Sequence, residues 1–205
     1  MNHIPRVSAK NRLWYAKSAS TIRWLHTYLS LISFAALMFF AVTGLTLNHP
    51  TWFGASEQTL RDSEGEIPTA LLGDEPDKLK ISEELRSTHR LRGKVEEFFV
   101  DDFECMVVYK GPGYSADVFI DRDSGKYSLT EATSGLMAIM NDLHKGRDSG
   151  PGWSLVIDIS ALLMVLVSVT GLALLLFLKR RRAPGLIVTV LGTVAIVAVW
   201  WAWVP

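Results

Sequence analysis

The sequence predicts an α-helical membrane protein with three transmembrane helices and a small α+β domain between the first helix and the second. Three segments contain no Asp, Glu, Lys or Arg: Trp24–Leu47, Ile159–Leu178 and Gly185–Val204. About 20 apolar residues in helical form span the hydrocarbon core of a bilayer, and these segments are too long and continuous for barrel strands. The roughly 100 residues between the first two segments are enough for one small folded domain.

The charge distribution predicts the orientation of the three helices. Of the 21 acidic residues, 20 lie between Thr51 and Gly152, where only 12 of the 21 basic residues are found. The other basic residues precede the first helix or form the run Lys179–Arg182. Because Lys and Arg near helix ends mark the cytoplasmic side, we expect a cytoplasmic N-terminus and a domain on the outer side of the membrane. The predicted segments are a basic tail (1–23), helix one (24–48), the outer domain (49–152), helix two (153–178), a basic cytoplasmic turn (179–184) and helix three (185–205).

The outer domain shows the pattern of a short helix followed by an antiparallel meander of three or four strands. Residues 57–80 are polar and contain Pro and Gly, which predicts mostly loop, and a helix is expected to begin near Ser82. The stretches KGPGY and DRDSGK predict turns between strands. A further helix is expected over residues 130–143. The single cysteine, Cys105, is interpreted as a buried small side chain, although a redox thiol is the alternative.

Three of the five histidines lie at predicted membrane boundaries: His26 at the inner end of helix one, His49 at its outer end, and His144 outside, just before helix two. Residues of this type at such positions are functional candidates, although each can also be a simple interfacial side chain. His49 and His144 come from different helices but share the outer surface, so their imidazoles can ligate one haem iron from both faces. His26 and His49 are about 35 Å apart along an ideal helix and cannot share a haem within one chain.

The tetrapeptide VTGL occurs twice, at residues 42–45 and 169–172, each time inside an apolar segment that follows a histidine. The predicted topology places Gly44 near the outer surface and Gly171 near the inner one. Each glycine is therefore expected at roughly the depth of a histidine from the other helix. A glycine here allows a flat porphyrin to lie close to the backbone, or it allows two helices to pack closely. The spacing leaves both interpretations open.

The residues around these histidines resemble the PepSY-associated transmembrane proteins. The resemblance rests on RWLHTYLSLI and AVTGLTL in helix one, on LHKGRDSGPGWSLVIDISALLMVLVSVTGLALLLFLKRRR through helix two, and on DVFIDRDSGKYS, which looks like the hairpin of a PepSY domain. Characterised members include b-haem membrane reductases that act on ferric iron or ferric siderophores outside the bacterial inner membrane. The resemblance implies that His26 and His144 match family histidines at helix N-termini, and that His49 is a further candidate ligand.

The chain departs from the larger members of this family, which have four or more helices and a pair of PepSY repeats. Only two helices here carry a boundary histidine, so a four-helix haem bundle would need two copies of the chain. We therefore expect a homodimer, with His26 of both protomers on one inner haem b.

The function expected from this resemblance is reduction of ferric iron, free or chelated, in the periplasm for iron uptake. No nucleotide-binding fingerprint is visible, so the expected electron donor is quinol or a separate cytoplasmic reductase, and no nucleic-acid partner is expected. The acidic outer domain offers Asp101, Asp102 and Glu104 as a candidate cluster for recruiting ferric ion through carboxylate oxygens. A solvated acidic surface is the alternative for this cluster.

Two other functions remain open at this stage. In the first, the helices only anchor a non-redox PepSY module that binds or regulates another protein. In the second, the chain is a cytochrome b subunit that hands electrons to a protein partner instead of to iron. The visible spectrum of the purified protein separates the first alternative from a haem protein.

Overall fold

The computed structural model describes residues 9–205, with side chains from Leu13 onward. The helices are α1 (Ala9–Asn48), α2 (Lys78–His89), α3 (Leu136–Lys145), α4 (Gly150–Phe177) and α5 (Arg182–Trp203). The strands are β1 (Gln58–Glu66), β2 (Lys94–Val100), β3 (Glu104–Gly111), β4 (Tyr114–Asp121) and β5 (Lys126–Ser134). The chain divides into two compact units, one made of residues up to Leu37 together with Ile159–Pro205, the other of Met38–Asp158.

Three helices are long and apolar enough to cross a membrane: α1, α4 and α5. By length and composition, these helices are candidate membrane spans, in agreement with the three apolar segments of the sequence. Helix α1 begins at Ala9, so residues 9–23 of the predicted tail are helical; residues 1–8 of that tail lie outside the described residues. The extension is physically reasonable because Ala9–Arg23 contains no Gly or Pro and is rich in good helix formers.

In the first unit, α1 and α4 are in contact, whereas α5 is exposed. The Tyr15 hydroxyl donates to the Phe177 carbonyl oxygen at 3.2 Å, and the two rings are 4.9 Å apart. Ser33 of α1 and Ser160 of α4 are buried, as small polar residues often are between membrane helices. No part of the most apolar 18-residue window of α5 is buried, which suits a helix surface covered by lipid.

The second unit contains a five-stranded antiparallel sheet in the order β1-β5-β4-β3-β2. Val107 pairs with Val118, and Val118 pairs with Leu129, so apolar side chains of three neighbouring strands lie on one face. Helix α2 covers this face with Ile81 and Leu85, which are fully buried. This arrangement of one helix on an antiparallel sheet confirms the predicted α+β class.

The turn between β4 and β5 is fixed by two local features. Asp121 Oδ1 accepts hydrogen bonds from the backbone N–H and the hydroxyl of Ser124, at 2.7 and 2.6 Å. Gly125 has φ +74°, and a Cβ placed on it would lie 2.3 Å from the carbonyl oxygen of Ile67. Only glycine satisfies both conditions, and the DRDSGK stretch is a hairpin turn as predicted.

Three local predictions for this unit are wrong. Residues 58–66, expected as loop, form β1, whose side chains are mostly exposed and therefore carry the polar composition of a loop. The helix expected over 130–143 begins only at Leu136, because residues 126–134 form β5 and pair with both β1 and β4. Helix α2 begins at Lys78 instead of near Ser82, since Asp77 accepts from the Lys80 N–H and caps it.

Candidate functional site

The imidazole of His26 contacts the second VTGL tetrapeptide. Nδ1 of His26 lies 3.0 Å from the Thr170 hydroxyl oxygen. The Thr170 hydroxyl also bonds to the Leu166 carbonyl oxygen at 2.8 Å, where it must be the donor because a carbonyl only accepts. The hydroxyl oxygen keeps its lone pairs for the ring nitrogen, a geometry that suits a protonated Nδ1 and, in the neutral imidazole, an unprotonated Nε2.

His144 makes the same contact with the first VTGL tetrapeptide. Its Nδ1 lies 2.6 Å from the Thr43 hydroxyl oxygen, and the Thr43 hydroxyl donates to the Phe39 carbonyl oxygen at 2.6 Å. The same geometry suits a protonated Nδ1 and an unprotonated Nε2 at His144. The ring of Phe40 packs edge-on against the imidazole, with 5.1 Å between the ring centres.

The two VTGL glycines lie against these imidazoles. A Cβ placed on Gly171 would lie 3.2 Å from Cε1 of His26, and a Cβ on Gly44 would lie 3.6 Å from Cε1 of His144. Each glycine was expected only at roughly the depth of a histidine, and the structure places the imidazole itself beside it, whereas a porphyrin against either glycine stays a prediction. In each Thr-Gly pair, the threonine hydroxyl lies within hydrogen-bond distance of Nδ1 of the ring. The glycine has no side chain and therefore leaves room for the adjacent ring carbon, Cε1.

His144 lies on α3, and not on the chain leading directly into α4. It occupies the last turn of α3, which ends at Lys145 and is capped by Gly146 with φ +69°. The Trp153 indole N–H donates to the Leu143 carbonyl oxygen at 2.7 Å, which fixes the end of α3 next to the start of α4. At the other side of α3, the Thr46 hydroxyl donates to the buried Asn141 side-chain oxygen at 2.7 Å. These contacts hold α3 so that His144 reaches Thr43.

The third predicted ligand, His49, has different surroundings. It follows the last residue of α1 and stacks on Trp52, with ring centres 4.0 Å apart and planes inclined by 10°. Among residues 13–205, no hydrogen bond or ring contact joins His49 to His144. The stacking is typical of a side chain at a membrane interface, and a ligand role for His49 stays a prediction.

The predicted acidic cluster is partly engaged in the fold. The Asp101 carboxylate accepts from the backbone N–H groups of Glu104 and Phe103 at 2.7 and 2.8 Å, and these bonds lower the pKa of Asp101. Asp102 and Glu104 are exposed. Within the described side chains, no group of three or more His, Cys, Asp or Glu residues is arranged to hold a metal ion. Recruitment of ferric ion by Asp101, Asp102 and Glu104 stays a prediction.

Cys105 is a core residue of the sheet. It is fully buried on β3, and this burial raises the pKa of its thiol. A buried thiol of raised pKa is a poor nucleophile. The interpretation of Cys105 as a structural side chain is confirmed.

Sequence reasoning missed Thr43 and Thr170 as site residues. Both are buried, and both would have been classed as ordinary helix residues by composition alone. The available signal was the repetition of VTGL, which includes the threonine as well as the glycine.

The donor set of the two histidines fits a haem. Haem iron is bound by unprotonated imidazole nitrogens, and ligating histidines commonly donate their other ring N–H to an oxygen acceptor. His26 and His144 each place Nδ1 within hydrogen-bond distance of a threonine hydroxyl oxygen, which can serve as that acceptor. In the part of the chain with described side chains, neither Nε2 has a hydrogen-bond partner, so each retains its lone pair.

Comparison with known proteins identifies the family. A family model described as PepSY_TM-like matches residues 20–205, which include both histidine–threonine pairs, the sheet and all of α4 and α5. No curated protein and no solved structure matches the chain. The match covers most of the sequence, and the chain therefore belongs to the PepSY_TM-like family of transmembrane proteins.

Proposed function

We propose that this protein is a haem b-containing reductase of the bacterial inner membrane that passes electrons outward to ferric iron or a ferric chelate in the periplasm. The observation that carries the proposal is the paired geometry of His26 and His144, each with Nδ1 on a threonine hydroxyl and with no hydrogen bond to Nε2 among the described side chains. The resemblance of the histidine and VTGL segments to the PepSY-associated transmembrane proteins, whose characterised members include b-haem reductases, supports the same proposal.

In this proposal, His26 and His144 would hold haem iron, one in each compact unit of the chain. Bound haem would supply a one-electron couple between ferric and ferrous iron. Thr170 and Thr43 orient the two rings, and Gly171 and Gly44 leave space for them.

The second axial ligands define the expected assembly. His49 is the candidate partner of His144 at the outer surface. On the inner side only His26 lies at the predicted boundary, so the corresponding histidine of a second copy is the candidate partner. The proposed assembly is therefore a homodimer in which α1 and α4 of both copies form the haem bundle.

The orientation follows from the basic residues at the helix ends. Lys179–Arg182 and the basic residues before Trp24 are expected on the cytoplasmic side, where quinol or a separate reductase would deliver electrons. The sheet of the second unit would then lie in the periplasm with the ferric substrate. Its excess of acidic residues gives hard oxygen ligands for a ferric ion.

The test is a pair of spectroscopic measurements on the purified full chain from cells well supplied with haem. The oxidised and dithionite-reduced visible spectra should show b-type haem bands, and anaerobic addition of ferric citrate should return the reduced spectrum to the oxidised one. A colourless protein would contradict the proposal and favour the membrane-anchored binding module. Haem bands without reoxidation by ferric citrate would instead favour a cytochrome b subunit that serves a protein partner.

A further inference from the structure

We propose that Thr43 and Thr170 are positioning residues that hold His144 and His26 in the Nδ1–H tautomer and so direct the lone pair of each Nε2 toward a metal centre. The metal-facing part of this inference rests on the proposed function. The tautomer itself is a property of the chain and is measurable without any metal.

The inference follows from the proton of each threonine hydroxyl. A hydroxyl has one proton and can accept through its lone pairs. In both threonines the proton is used by the carbonyl oxygen one helical turn earlier, at 2.6 Å for Thr43 and Phe39 and at 2.8 Å for Thr170 and Leu166. The only remaining role toward the ring is that of acceptor, and an imidazole nitrogen that faces an acceptor must carry a proton.

Burial makes this arrangement hard to replace. Thr43 is fully buried and Thr170 is 8% exposed, so both hydroxyls are shielded from bulk water, while the two imidazoles are half-buried. In such surroundings an imidazole N–H without an acceptor would be strongly unfavourable. In the opposite tautomer, an unprotonated Nδ1 would face the threonine hydroxyl oxygen, whose proton is already donated to a carbonyl oxygen of its own helix.

Two threonines of α5 show that the intrahelical hydrogen bond alone does not create such a site. Thr189 and Thr193 also donate to the carbonyl oxygen four residues earlier, at 3.0 and 2.9 Å. Both are exposed, neither contacts a histidine among the described residues, and each is followed by Val. Thr43 and Thr170 are instead followed by glycine, which gives the imidazole access to the hydroxyl.

The hydrogen bond has two consequences for the ring. It fixes the rotation of the imidazole about its side-chain bonds, and it increases the electron-donating strength of Nε2, because partial removal of the Nδ1 proton makes the ring more basic. A more basic ligand stabilises ferric over ferrous iron. The two threonines would therefore lower the reduction potential of any haem that the histidines bind.

The primary test is nitrogen NMR of the metal-free full chain in detergent, with ¹⁵N in the histidine rings and the imidazoles neutral. We expect both His26 and His144 to show a protonated Nδ1 and an unprotonated Nε2. Thr170→Val should remove the preference for a protonated Nδ1 at His26 only, and Thr43→Val should remove it at His144 only. Thr170→Ser and Thr43→Ser, which keep the hydroxyl, should retain it, and Thr193→Val, which removes an equivalent intrahelical bond, should change neither ring.

Several results would overturn the inference. An Nε2–H tautomer at either histidine of the unmodified chain would overturn it, and this measurement needs no variant to fold. Unchanged ring signals in folded Thr43→Val and Thr170→Val would also overturn it. Failure of the proposed function is recognised separately, since a chain that binds no haem can still show the Nδ1–H tautomers.

A second readout applies to the haem-loaded protein. Redox titration followed by visible absorbance should give a higher midpoint potential for the haem ligated by His26 in Thr170→Val and for the haem ligated by His144 in Thr43→Val. The serine variants and Thr193→Val should keep the potentials of the unmodified protein. Equal potentials in the valine and serine variants would contradict the positioning role.

Discussion

The Thr43 hydroxyl oxygen lies 2.6 Å from Nδ1 of His144, although 101 residues separate the two in the sequence. The Thr170 hydroxyl oxygen and Nδ1 of His26 form the equivalent contact at 3.0 Å across 144 residues. Helix α1 thus supplies a histidine to one pair and a threonine to the other. The two copies of VTGL therefore make the same contact, in which the threonine hydroxyl lies within hydrogen-bond distance of Nδ1 of a histidine.

The two glycines are expected to differ in their tolerance of alanine. The Cβ of Gly171→Ala would lie 3.2 Å from His26 Cε1, which requires the ring to shift by a few tenths of an ångström. The Cβ of Gly44→Ala would lie 3.6 Å from His144 Cε1, an ordinary van der Waals contact. Histidine ring NMR should therefore show a larger change at His26 in Gly171→Ala than at His144 in Gly44→Ala. The reverse order would contradict the packing described for these rings.

The sheet should lose stability in strong alkali because of two buried tyrosines. Burial raises the pKa of Tyr109 and of Tyr114 from 10 to about 12. Because the folded-state pKa exceeds the unfolded one, their contribution to the free energy of unfolding is fully present below pH 10 and is lost as the pH rises through about 12.

Tyrosinate absorbance and near-ultraviolet circular dichroism, followed together against pH, test this expectation. Tyr109→Phe and Tyr114→Phe should each make the free energy of unfolding fall less steeply between pH 10 and 12 than in the parent protein. Tyr109→Phe should also lower stability at neutral pH by about 1 kcal/mol, because the Ser82 carbonyl oxygen loses its donor. If the free energy of unfolding of both variants fell with pH as steeply as that of the parent protein, the raised pKa of these two tyrosines would be contradicted.

Cys105 should be unreactive in the native protein. It is fully buried on β3, and the pKa of its thiol is raised by that burial. A maleimide reagent should therefore leave the detergent-solubilised native protein unlabelled and modify this single cysteine completely after denaturation. Rapid labelling under native conditions would mean that the sheet core opens readily.

Hydrophobic patterning and charge were sufficient to predict the three membrane helices and the α+β class of the domain. The DRDSGK hairpin was also predictable, because Asp, Ser and Gly at these positions form a local turn. Strand β1 was not, since it is a sheet edge with exposed polar side chains, and its pairing with β5 joins residues about 70 positions apart, such as Thr59 and Thr133. Local sequence carries little information about such a pairing.

For the candidate site, the depth of each residue was predictable but its hydrogen bonds were not. Helix direction and length were enough to place Gly44 at roughly the depth of His144 and Gly171 at roughly the depth of His26, but not to bring them into contact. The role of Thr43 and Thr170 depends on side-chain rotation and on a competing carbonyl acceptor in the same helix. The position of His144 on the separate helix α3 depends on the tertiary contacts of Trp153 and Asn141.

The most direct test of the account is the haem content of the purified protein, measured by the visible spectrum and by the ratio of extracted haem to polypeptide. The unmodified chain should carry haem b, and His26→Ala and His144→Ala should each lose a distinct part of it. His89→Gln, which changes a histidine that bonds to Tyr127 in the sheet domain, should keep the full content. Absence of haem from the unmodified chain, or full haem content in both His26→Ala and His144→Ala, would contradict the claim that these imidazoles bind it.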